Sequence, residues 1–543
     1  MSARRRLTGS VAAAILVLFS RQVAAVDYWV FFTHKLSPTG ERVRWDRGNA
    51  DGDAGDWPVD PASIRSVLDT GAKLRIKSRW FNAVTVRATP DQLLRLRRLA
   101  VVERAQAVAK FRRAPTVPTV PFDARPTQVD PSFEQRSQIG VTALHEMGFR
   151  GSGVRIAILD NGFHYSDHPA FEHLRANGLV VAARDFVNGD DVVTDEMDQL
   201  VTGNETVSQQ NIHGAQVLSV LAGNDPGRLV GVAPEAEYLL AKTEDNGSEL
   251  PVEEDRWIAG LEWADSLGAD VVNSSLGYTV WDDGRGYSYA DLDGQTTLTS
   301  QAAALAAARG IVVVVAAGNE GNTAWRHITA PADAPGILSV GAVDQSLRLA
   351  SFSSVGPTAD GRIKPDLVAP GVQVVVADIR RGDYQRKNGT SFAAPLVSGV
   401  GALLVQARPD WTASEVLQAL RDSAVDLGEA EADTLYGWGL VSALRASGFG
   451  GGLPEAVVAR DPFPNPVTGS MATFAVDLPD REMVVLRIFD LVGRLVHERR
   501  VQLMAGADQR MHWTIPDDLA NGIYLYEVST SESVDTGKLA LVR

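Results

Sequence analysis

Cysteine is absent from all 543 residues of the chain. This absence excludes disulfide bonds, thiol catalysis, zinc sites with thiolate ligands and lipid attachment through cysteine. Basic residues are also few relative to acidic ones, 52 against 67, which gives a formal net charge of −15. A surface with that charge repels the phosphates of DNA and RNA. The chain must therefore be stabilised mainly by packing, and no nucleic acid is expected among its partners.

Apolar stretches of transmembrane length are missing as well. Near the N-terminus, three arginines precede an apolar run from Val11 to Phe19, which is followed by Val23-Ala-Ala25. This is the layout of a secretory signal peptide that is cleaved after Ala25, with an uncleaved anchor or a core strand as the alternative. We expect residues 1–25 to be removed and the remaining chain to be exported.

The length predicts three folded units separated by two linkers. Residues 26–111 combine strand-like and helix-like segments with many Lys and Arg residues, which predicts a basic α+β unit able to dock on an acidic neighbour. Residues 112–131 carry five prolines, which is typical of an exposed, cleavable linker. Residues 132–445 form the largest predicted unit. The Gly-rich residues 446–455 separate it from residues 456–543, whose alternating strands and turn residues predict a β-sandwich.

In the largest unit, short β-rich runs alternate with helical segments. The predicted strands are Val154–Leu159, Tyr238–Ala241, Asp270–Asn273 and Ile311–Ala316, and the predicted helices are 214–222, 253–267 and 298–309. This alternation predicts an α/β fold, a parallel sheet with helices on both faces. Ligands bind such sheets at the carboxyl ends of the strands.

Four polar residues in this unit stand where a strand ends or a helix begins. Asp160 and Asn319 follow apolar strands, whereas His213 and Ser391 open apolar helices. Each residue has a structural alternative, because Asp and Asn commonly form turns, Ser commonly caps helices and a His at a helix start is often structural. The occurrence of all four residues in this order along one unit favours a shared chemical role over four separate structural roles.

The segments around these residues resemble the active-site blocks of the subtilisin-like serine proteases, which also follow the order Asp, His, Ser. The matching segments are Ile158-Leu-Asp160-Asn-Gly162, His213-Gly-Ala215, Ala317-Gly-Asn319-Glu-Gly321 and Gly389-Thr-Ser391-Phe-Ala-Ala-Pro395. The chain departs from the family's usual pattern at two positions, and both departures concern only the fine positioning of the catalytic residues. Asn161 stands where the family usually has Thr or Ser, and Ala215 stands where it usually has Thr.

The resemblance implies an endopeptidase that hydrolyses peptide bonds and requires no cofactor. The implied residues are Asp160, His213 and Ser391 as the catalytic triad, Asn319 in the oxyanion hole, and Ser274, Ser275, Leu276, Gly277 and Gly318 in substrate binding. Glu320 either lies near the substrate pocket or faces solvent, the latter being the favoured interpretation. The acidic stretch Asn188–Asp198 is either a loop binding structural calcium or a solvated loop. A catalytically silent subtilisin fold that acts as a surface binding protein is the alternative function.

The flanking units carry resemblances of their own. Residues 26–111 resemble the inhibitory propeptide of these proteases. The segments Phe463–Pro466, Val484–Val496, Ala520–Tyr526 and Gly537–Arg543 resemble the C-terminal sorting domains of type IX secretion cargo, with a sandwich that binds substrate or carbohydrate as the alternative. The expected partners are therefore protein or peptide substrates, the chain's own propeptide and the outer-membrane secretion machinery. The expected location is outside the cell or on its surface, reached through the periplasm.

Overall fold

The computed structural model describes most of the chain in three domains. The described residues are 25–45, 53–108, 130–194, 211–245, 252–279, 286–449, 458–459, 462, 464–478, 482–503, 506–516, 518–531 and 533–542. The predicted signal peptide and most of both predicted linkers lie outside them.

The N-terminal domain is an antiparallel sheet with two helices on one face. Its elements are β1 (Val26–Phe32), β2 (His34–Leu36), β3 (Arg42–Arg44), α1 (Pro61–Leu68), β4 (Lys73–Ser78), β5 (Ala83–Ala88), α2 (Pro90–Leu96) and β6 (Val102–Ala107). The main sheet has the order β4-β5-β1-β6. Side chains alternate across a strand, so Val30 and Phe32 of β1 pack with α1 and α2, whereas Trp29 and Phe31 face the central domain.

The central domain is a seven-stranded parallel sheet with helices on both faces, which confirms the predicted fold class. Its strands are β7 (Arg155–Asp160), β8 (Val180–Asp185), β9 (Asn224–Asp225), β10 (Leu229–Val230), β11 (Glu237–Lys242), β12 (Val271–Ser274), β13 (Val312–Ala316), β14 (Leu338–Val343), β15 (Leu367–Pro370), β16 (Val374–Asp378) and β17 (Asp383–Lys387). Its helices are α3 (Phe133–Ser137), α4 (Val141–Glu146), α5 (Glu172–Ala176), α6 (Ile212–Ala222), α7 (Val252–Ser266), α8 (Leu298–Ala308), α9 (Thr390–Ala407), α10 (Ala413–Asp422) and α11 (Ala443–Ser447). The sheet order is β15-β14-β13-β12-β7-β11-β8.

The central strands are apolar throughout because both of their faces are covered. In β7, Ile156 and Ile158 pack towards α6 and α9, whereas Ala157 and Leu159 pack towards α7 and α8. Among the described residues, α9 alone is long and apolar enough to cross a membrane, but 83% of it is buried inside the protein. The apolar composition of α9 is therefore explained by its position in the protein core.

The N-terminal domain docks on helix α7 of the central domain. Trp29 and Trp80 belong to the same buried cluster as Trp257 of α7. In addition, the buried carboxylate of Glu262 accepts hydrogen bonds from the hydroxyl of Ser78 (2.5 Å) and from the backbone N–H groups of Arg79 (2.9 Å) and Trp80 (3.4 Å). Burial raises the pKa of Glu262. Glu262 thus binds the turn at residues 78–80 of the basic N-terminal domain.

The C-terminal domain consists of a three-stranded and a four-stranded antiparallel sheet around one core, which confirms the predicted sandwich. Its strands are β18 (Val458–Ala459), β19 (Met471–Leu478), β20 (Glu482–Phe489), β21 (Leu495–Leu503), β22 (Gly506–Thr514), β23 (Gly522–Ser529) and β24 (Val534–Leu541). Phe474 and Trp513 of one sheet face Leu486 and Tyr526 of the other across that core.

Candidate active site

Asp160 and His213 form a hydrogen-bonded pair at the carboxyl edge of the sheet. Asp160 is the last residue of β7 and is fully buried. Its Oδ1 lies 2.8 Å from Nδ1 of His213 and also accepts the backbone N–H of Asn161 at 2.8 Å. Because a nitrogen that faces a carboxylate carries the proton, Nε2 of His213 is left as the basic nitrogen of the ring. The side chain of His213 is 29% exposed.

The close approach of α6 to the end of β7 positions this pair. A Cβ atom on Gly214 would lie 2.3 Å from the carbonyl oxygen of Gly162, so a larger residue would push His213 away. Oδ1 of Asn161 accepts the backbone N–H of Gly214 at 3.1 Å and so satisfies one of the free donors at the start of the helix. The unusual Asn161 therefore ties the strand end to the helix.

Ser391 is the second residue of α9 and is hydrogen-bonded to Ser275, the residue that follows β12. Pro395 makes one of these bonds possible. In a regular helix, the N–H of residue 395 would bind the carbonyl of residue 391, but proline has no N–H. The carbonyl of Ser391 instead accepts the hydroxyl of Ser275 at 2.8 Å, and the Ser391 hydroxyl donates to the carbonyl of Ser275 at 3.3 Å. The Ser391 side chain makes no capping bond, so the helix-cap alternative is wrong.

Asn319 follows β13 and is held by the residue that precedes Ser391. Its Oδ1 accepts the backbone N–H of Thr390 at 2.9 Å and the Thr390 hydroxyl at 3.1 Å. The bond from the Thr390 backbone assigns the orientation of the carboxamide, because a backbone N–H can only donate. The Nδ2 group of Asn319 is thereby left to donate to another molecule. Sequence reasoning named Asn319 but missed Thr390, whose position directly before the candidate nucleophile was the available indication.

These side chains meet at one edge of the sheet. The imidazole of His213 lies 5.8 Å, centroid to centroid, from the ring of Phe392, the residue after Ser391. In the conformation described, the Ser391 hydroxyl is bonded to Ser275 and not to the imidazole. Rotation about the Cα–Cβ bond of Ser391 changes that partner without moving the backbone.

The predicted substrate-binding segment continues from the end of β12. The hydroxyl of Ser274 accepts the indole N–H of Trp257 at 2.9 Å, so this side chain is turned into the core. Leu276 is half-buried. Gly277 has no room for a side chain, because a Cβ would lie 2.2 Å from Oγ1 of Thr329. The segment therefore presents mainly backbone groups.

Gly318 lines the opposite side of the same region. Its φ of +111° is one that residues with side chains rarely adopt, and a Cβ there would meet Ser354 and Thr329 at 2.8 Å each. The neighbouring Glu320 is only 6% exposed, and its Oε2 accepts the hydroxyl of Thr323 at 2.9 Å. The favoured interpretation of Glu320 as a solvent-facing residue is therefore wrong.

The described residues contain no cluster of acidic or histidine side chains of the kind that binds a metal ion. None of their His, Cys, Asp and Glu side chains form a group of three or more that could hold an ion. Only residues 188–194 of the candidate calcium stretch are described, and there Asp191 pairs with Arg184 at 2.9 Å while Asp190 accepts the N–H of Val192. Residues 195–198 lie outside the described part of the chain.

Each domain is similar to a family of known proteins. Residues 151–439 match the subtilase family, residues 27–119 match the peptidase S8 propeptide domain of Bacteroidota, and residues 462–542 match the secretion system C-terminal sorting domain. The matched regions correspond to the central, N-terminal and C-terminal domains of the structure.

Individual proteins support the match to the subtilase family. Subtilisin NAT from Bacillus subtilis subsp. natto is 31% identical over 385 residues, which are 70% of this chain and 84% of that protein. Subtilisin from Bacillus pumilus is 33% identical over 314 residues, 57% of this chain and 97% of that protein. Among solved structures, fervidolysin from Fervidobacterium pennivorans, described as a keratinolytic enzyme related to subtilisin, matches 94% of this chain and 71% of its own with a TM-score of 0.56. At 22% identity, that likeness concerns the fold.

Proposed function

Because the chain belongs to the subtilase family and is a secreted serine endopeptidase with a propeptide and a C-terminal sorting domain, we propose that Asp160, His213 and Ser391 are its catalytic triad. The observation that carries the assignment is the 2.8 Å contact between Oδ1 of Asp160 and Nδ1 of His213 at the edge of the sheet where α9 presents Ser391. This contact directs Nε2 of His213 outward as a base. The proposal requires no cofactor and no metal-dependent step.

The proposed reaction begins with attack by Oγ of Ser391 on the substrate's peptide carbonyl carbon. Before the attack, the Ser391 hydroxyl rotates from the carbonyl of Ser275 to Nε2 of His213. Nε2 then takes the hydroxyl proton as Oγ bonds to the carbonyl carbon. Asp160 stabilises the resulting imidazolium. The imidazolium then gives the proton to the leaving amine as the peptide C–N bond breaks, and water, activated by the same base, hydrolyses the acyl ester to release the acid and regenerate Ser391.

We further propose that Nδ2 of Asn319 and the backbone N–H of Ser391 stabilise the oxyanion that forms during attack. The two bonds from Thr390 to Oδ1 fix the Asn319 carboxamide before substrate arrives, so little reorganisation is needed at the moment of reaction. Substrate would lie extended along Ser274–Gly277, a segment that offers mainly backbone groups and so recognises peptides with broad sequence tolerance.

Replacing Asn319 with alanine should lower kcat by about 10²–10³-fold with little change in KM, the range known for the equivalent carboxamide of a subtilisin. The loss falls on kcat because the oxyanion exists only in the transition state. Steady-state hydrolysis of a peptide anilide measures both constants. Thr390→Val is the control, since it removes one bond to Oδ1 but keeps the Nδ2 donor. An equal loss of kcat in both variants would assign Asn319 a positioning role instead.

For the N-terminal domain, we propose the role of an inhibitor released by cleavage of the linker. The proposed division of the chain is signal peptide 1–25, propeptide 26–111, linker 112–131, catalytic domain 132–445, linker 446–455 and sorting domain 456–543. The docking of Trp29, Trp80 and the turn at Ser78 on α7 supports a propeptide that stays on the catalytic domain until the linker is cut. Mature enzyme should then lack residues 26–111.

Substitution of Glu262 by alanine should weaken inhibition by added propeptide about 100-fold, because it removes an acceptor that binds three donors of that domain. The inhibition constant of a peptide spanning residues 26–111 against mature enzyme measures the effect. Ser266→Ala is the matched control, because this exposed hydroxyl on the same helix bonds to the carbonyl of Trp263 within its own turn. Unchanged inhibition of the Glu262 variant would show that the apolar contact alone holds the propeptide.

A further inference from the structure

The face of helix α7 that the N-terminal domain covers carries a second buried carboxylate besides Glu262. Asp255 stands on this helix and is fully buried. Beyond the neighbouring residues of α7, the groups that act most strongly on its carboxylate belong to strands β1, β4 and β5 of the docked domain. The N-terminal domain is therefore what covers Asp255, and the departure of that domain returns this carboxylate to water.

The interface leaves the Asp255 carboxylate without a dedicated partner. Neither of its oxygens makes a hydrogen bond of normal geometry to a described residue. The guanidinium of Arg75 lies 3.8 Å from Asp27, which Arg87 also binds through two bonds of 3.0 and 2.9 Å. Burial lowers the pKa of Arg75, and Arg256, the next residue of α7, lies close enough to lower it further. The cations near Asp255 thus pair with Asp27 or repel each other.

Burial therefore governs the proton on Asp255 in the docked state. It is the largest of the causes that raise the pKa of this carboxyl well above its ordinary value, and the carboxylates of Glu254 and Asp27 act in the same direction. The hydroxyl of Thr85 and the charge of Arg75 oppose this rise without cancelling it. A buried carboxyl that lacks sufficient partners is protonated at a pH at which it would be ionised in water. Docking thus takes up a proton at this position.

We propose that Asp255 makes the docking of the N-terminal domain depend on pH: after the linker is cut, the domain stays docked in acid and is released as the pH rises. The inference rests on the proposed role of this domain as an inhibitor that is released by cleavage. Its direction follows from the two states, since Asp255 is ionised in water above about pH 4 and must be protonated to dock. The affinity should therefore be highest in acid and fall about tenfold for each pH unit above that value, up to the pKa of the docked state.

Two other carboxyls of α7 are distinguishable from Asp255. Glu254 accepts the hydroxyl groups of Tyr287 at 2.7 Å and of Thr299 at 3.4 Å, and both residues belong to the central domain. Burial raises the pKa of Glu254 to about 8, but these partners remain in place when the N-terminal domain leaves. Glu262 lies in the interface, where three donors of the docked domain stabilise its ionised form. Glu254→Gln is therefore the matched control, because it removes a neighbouring ionisable carboxyl and leaves that of Asp255 in place.

The test uses the full chain carrying Ser391→Ala and a recognition site for an added protease within residues 112–131. The added protease cuts the purified protein, so no activity of the chain itself is needed. The cut complex, held on a surface through its C-terminus, then gives the dissociation constant of the N-terminal domain between pH 5.5 and 8.5. The chain carries Asp255, Asp255→Asn, Asp255→Ala or Glu254→Gln. Calorimetry in two buffers of different ionisation enthalpy gives the number of protons taken up on docking.

With Asp255, the dissociation constant should rise about tenfold from pH 6 to pH 7, and docking at pH 7 should take up about one proton more than in the Asp255→Asn variant. Asp255→Asn and Asp255→Ala should remove most of this rise, since neither side chain ionises, whereas Glu254→Gln should retain it. A dissociation constant that does not change with pH, or that changes equally with and without the Asp255 carboxyl, overturns the proposal. These measurements need no hydrolysis and are independent of the proposed triad. Failure of the released domain to inhibit active mature enzyme at pH 6 would instead overturn its proposed inhibitory role.

Discussion

Ser391→Ala is expected to abolish peptide hydrolysis, with kcat reduced by about 10⁴–10⁶-fold, while the protein stays folded. The substitution removes the proposed nucleophile but leaves the bond from Ser275 to the carbonyl of residue 391 in place. The hydroxyl of Ser391 donates one long hydrogen bond, at 3.3 Å, to the carbonyl of Ser275, so its removal should change the free energy of unfolding by about 1 kcal/mol or less. Hydrolysis of a peptide anilide, fluorophosphonate labelling and thermal unfolding measure the three properties.

Ser398→Ala provides a matched control on the same helix. Its buried hydroxyl bonds to Oδ1 of Asn273 at 2.8 Å, so this variant should lose stability but retain labelling and kcat. If the linker is cut by the enzyme itself, the Ser391 variant should also accumulate as a precursor with residues 26–111 still attached. A purified, folded Ser391→Ala protein that keeps most of its activity would refute the proposed triad.

Deletion of residues 456–543 is expected to abolish export while hydrolysis remains at the wild-type rate. All proposed catalytic residues lie between Asp160 and Ser391, in a domain with its own core. The C-terminal domain touches that domain through surface contacts, among them the pair of Arg510 with Glu146 at 2.6 Å and the ring contact of His512 with Phe133. Exposed ion pairs of this kind contribute little to stability. Export and catalysis should therefore be separable functions of the two domains.

Two assays test this separation. The truncated protein, produced in a heterologous host, should hydrolyse short peptides normally, whereas in a host with type IX secretion it should remain in the periplasm. The matched control is the full-length chain carrying Ser391→Ala, which should be exported although it is inactive. Export of the truncated protein would refute the sorting role. Loss of peptide hydrolysis by a folded truncated protein would instead favour a sandwich that binds substrate.

The sequence predicted four of the seven strands of the central sheet, β7, β11, β12 and β13, because the pattern in these strands is local. Buried parallel strands are continuous apolar runs, so their ends, including Asp160 and Asn319, are visible in the sequence. In the N-terminal domain, the sequence from Lys73 to Arg87 alternates without a visible break, whereas the structure has two strands, β4 and β5, joined at residues 79–82. That turn has no Gly or Pro and depends on Asn82 at a φ of +47° and on Glu262, which is distant in the chain.

Helix α1 and the burial of Glu320 were missed for related reasons. Helix α1 spans eight residues, of which only Ser63, Ile64 and Val67 are buried, so its apolar periodicity is too short to recognise. The cap was nevertheless present in the sequence, since the Asp60 side chain accepts the N–H of Ala62. Glu320 is buried by segments distant in the chain, including Ser354, and no local pattern reports such contacts.

The buried cluster that the N-terminal domain forms with α7 contains tryptophans from both domains. Tryptophan fluorescence should therefore report on maturation. Trp29 and Trp80, each 1% exposed, belong to the domain that is proposed to leave, whereas Trp257 belongs to the proposed catalytic domain. When the two domains separate, the indoles that were covered by the interface pass from an apolar surrounding into water, and indole fluorescence shifts to longer wavelength in water. Release of the propeptide can thus be timed on unlabelled protein, independently of the moment at which the linker is cut.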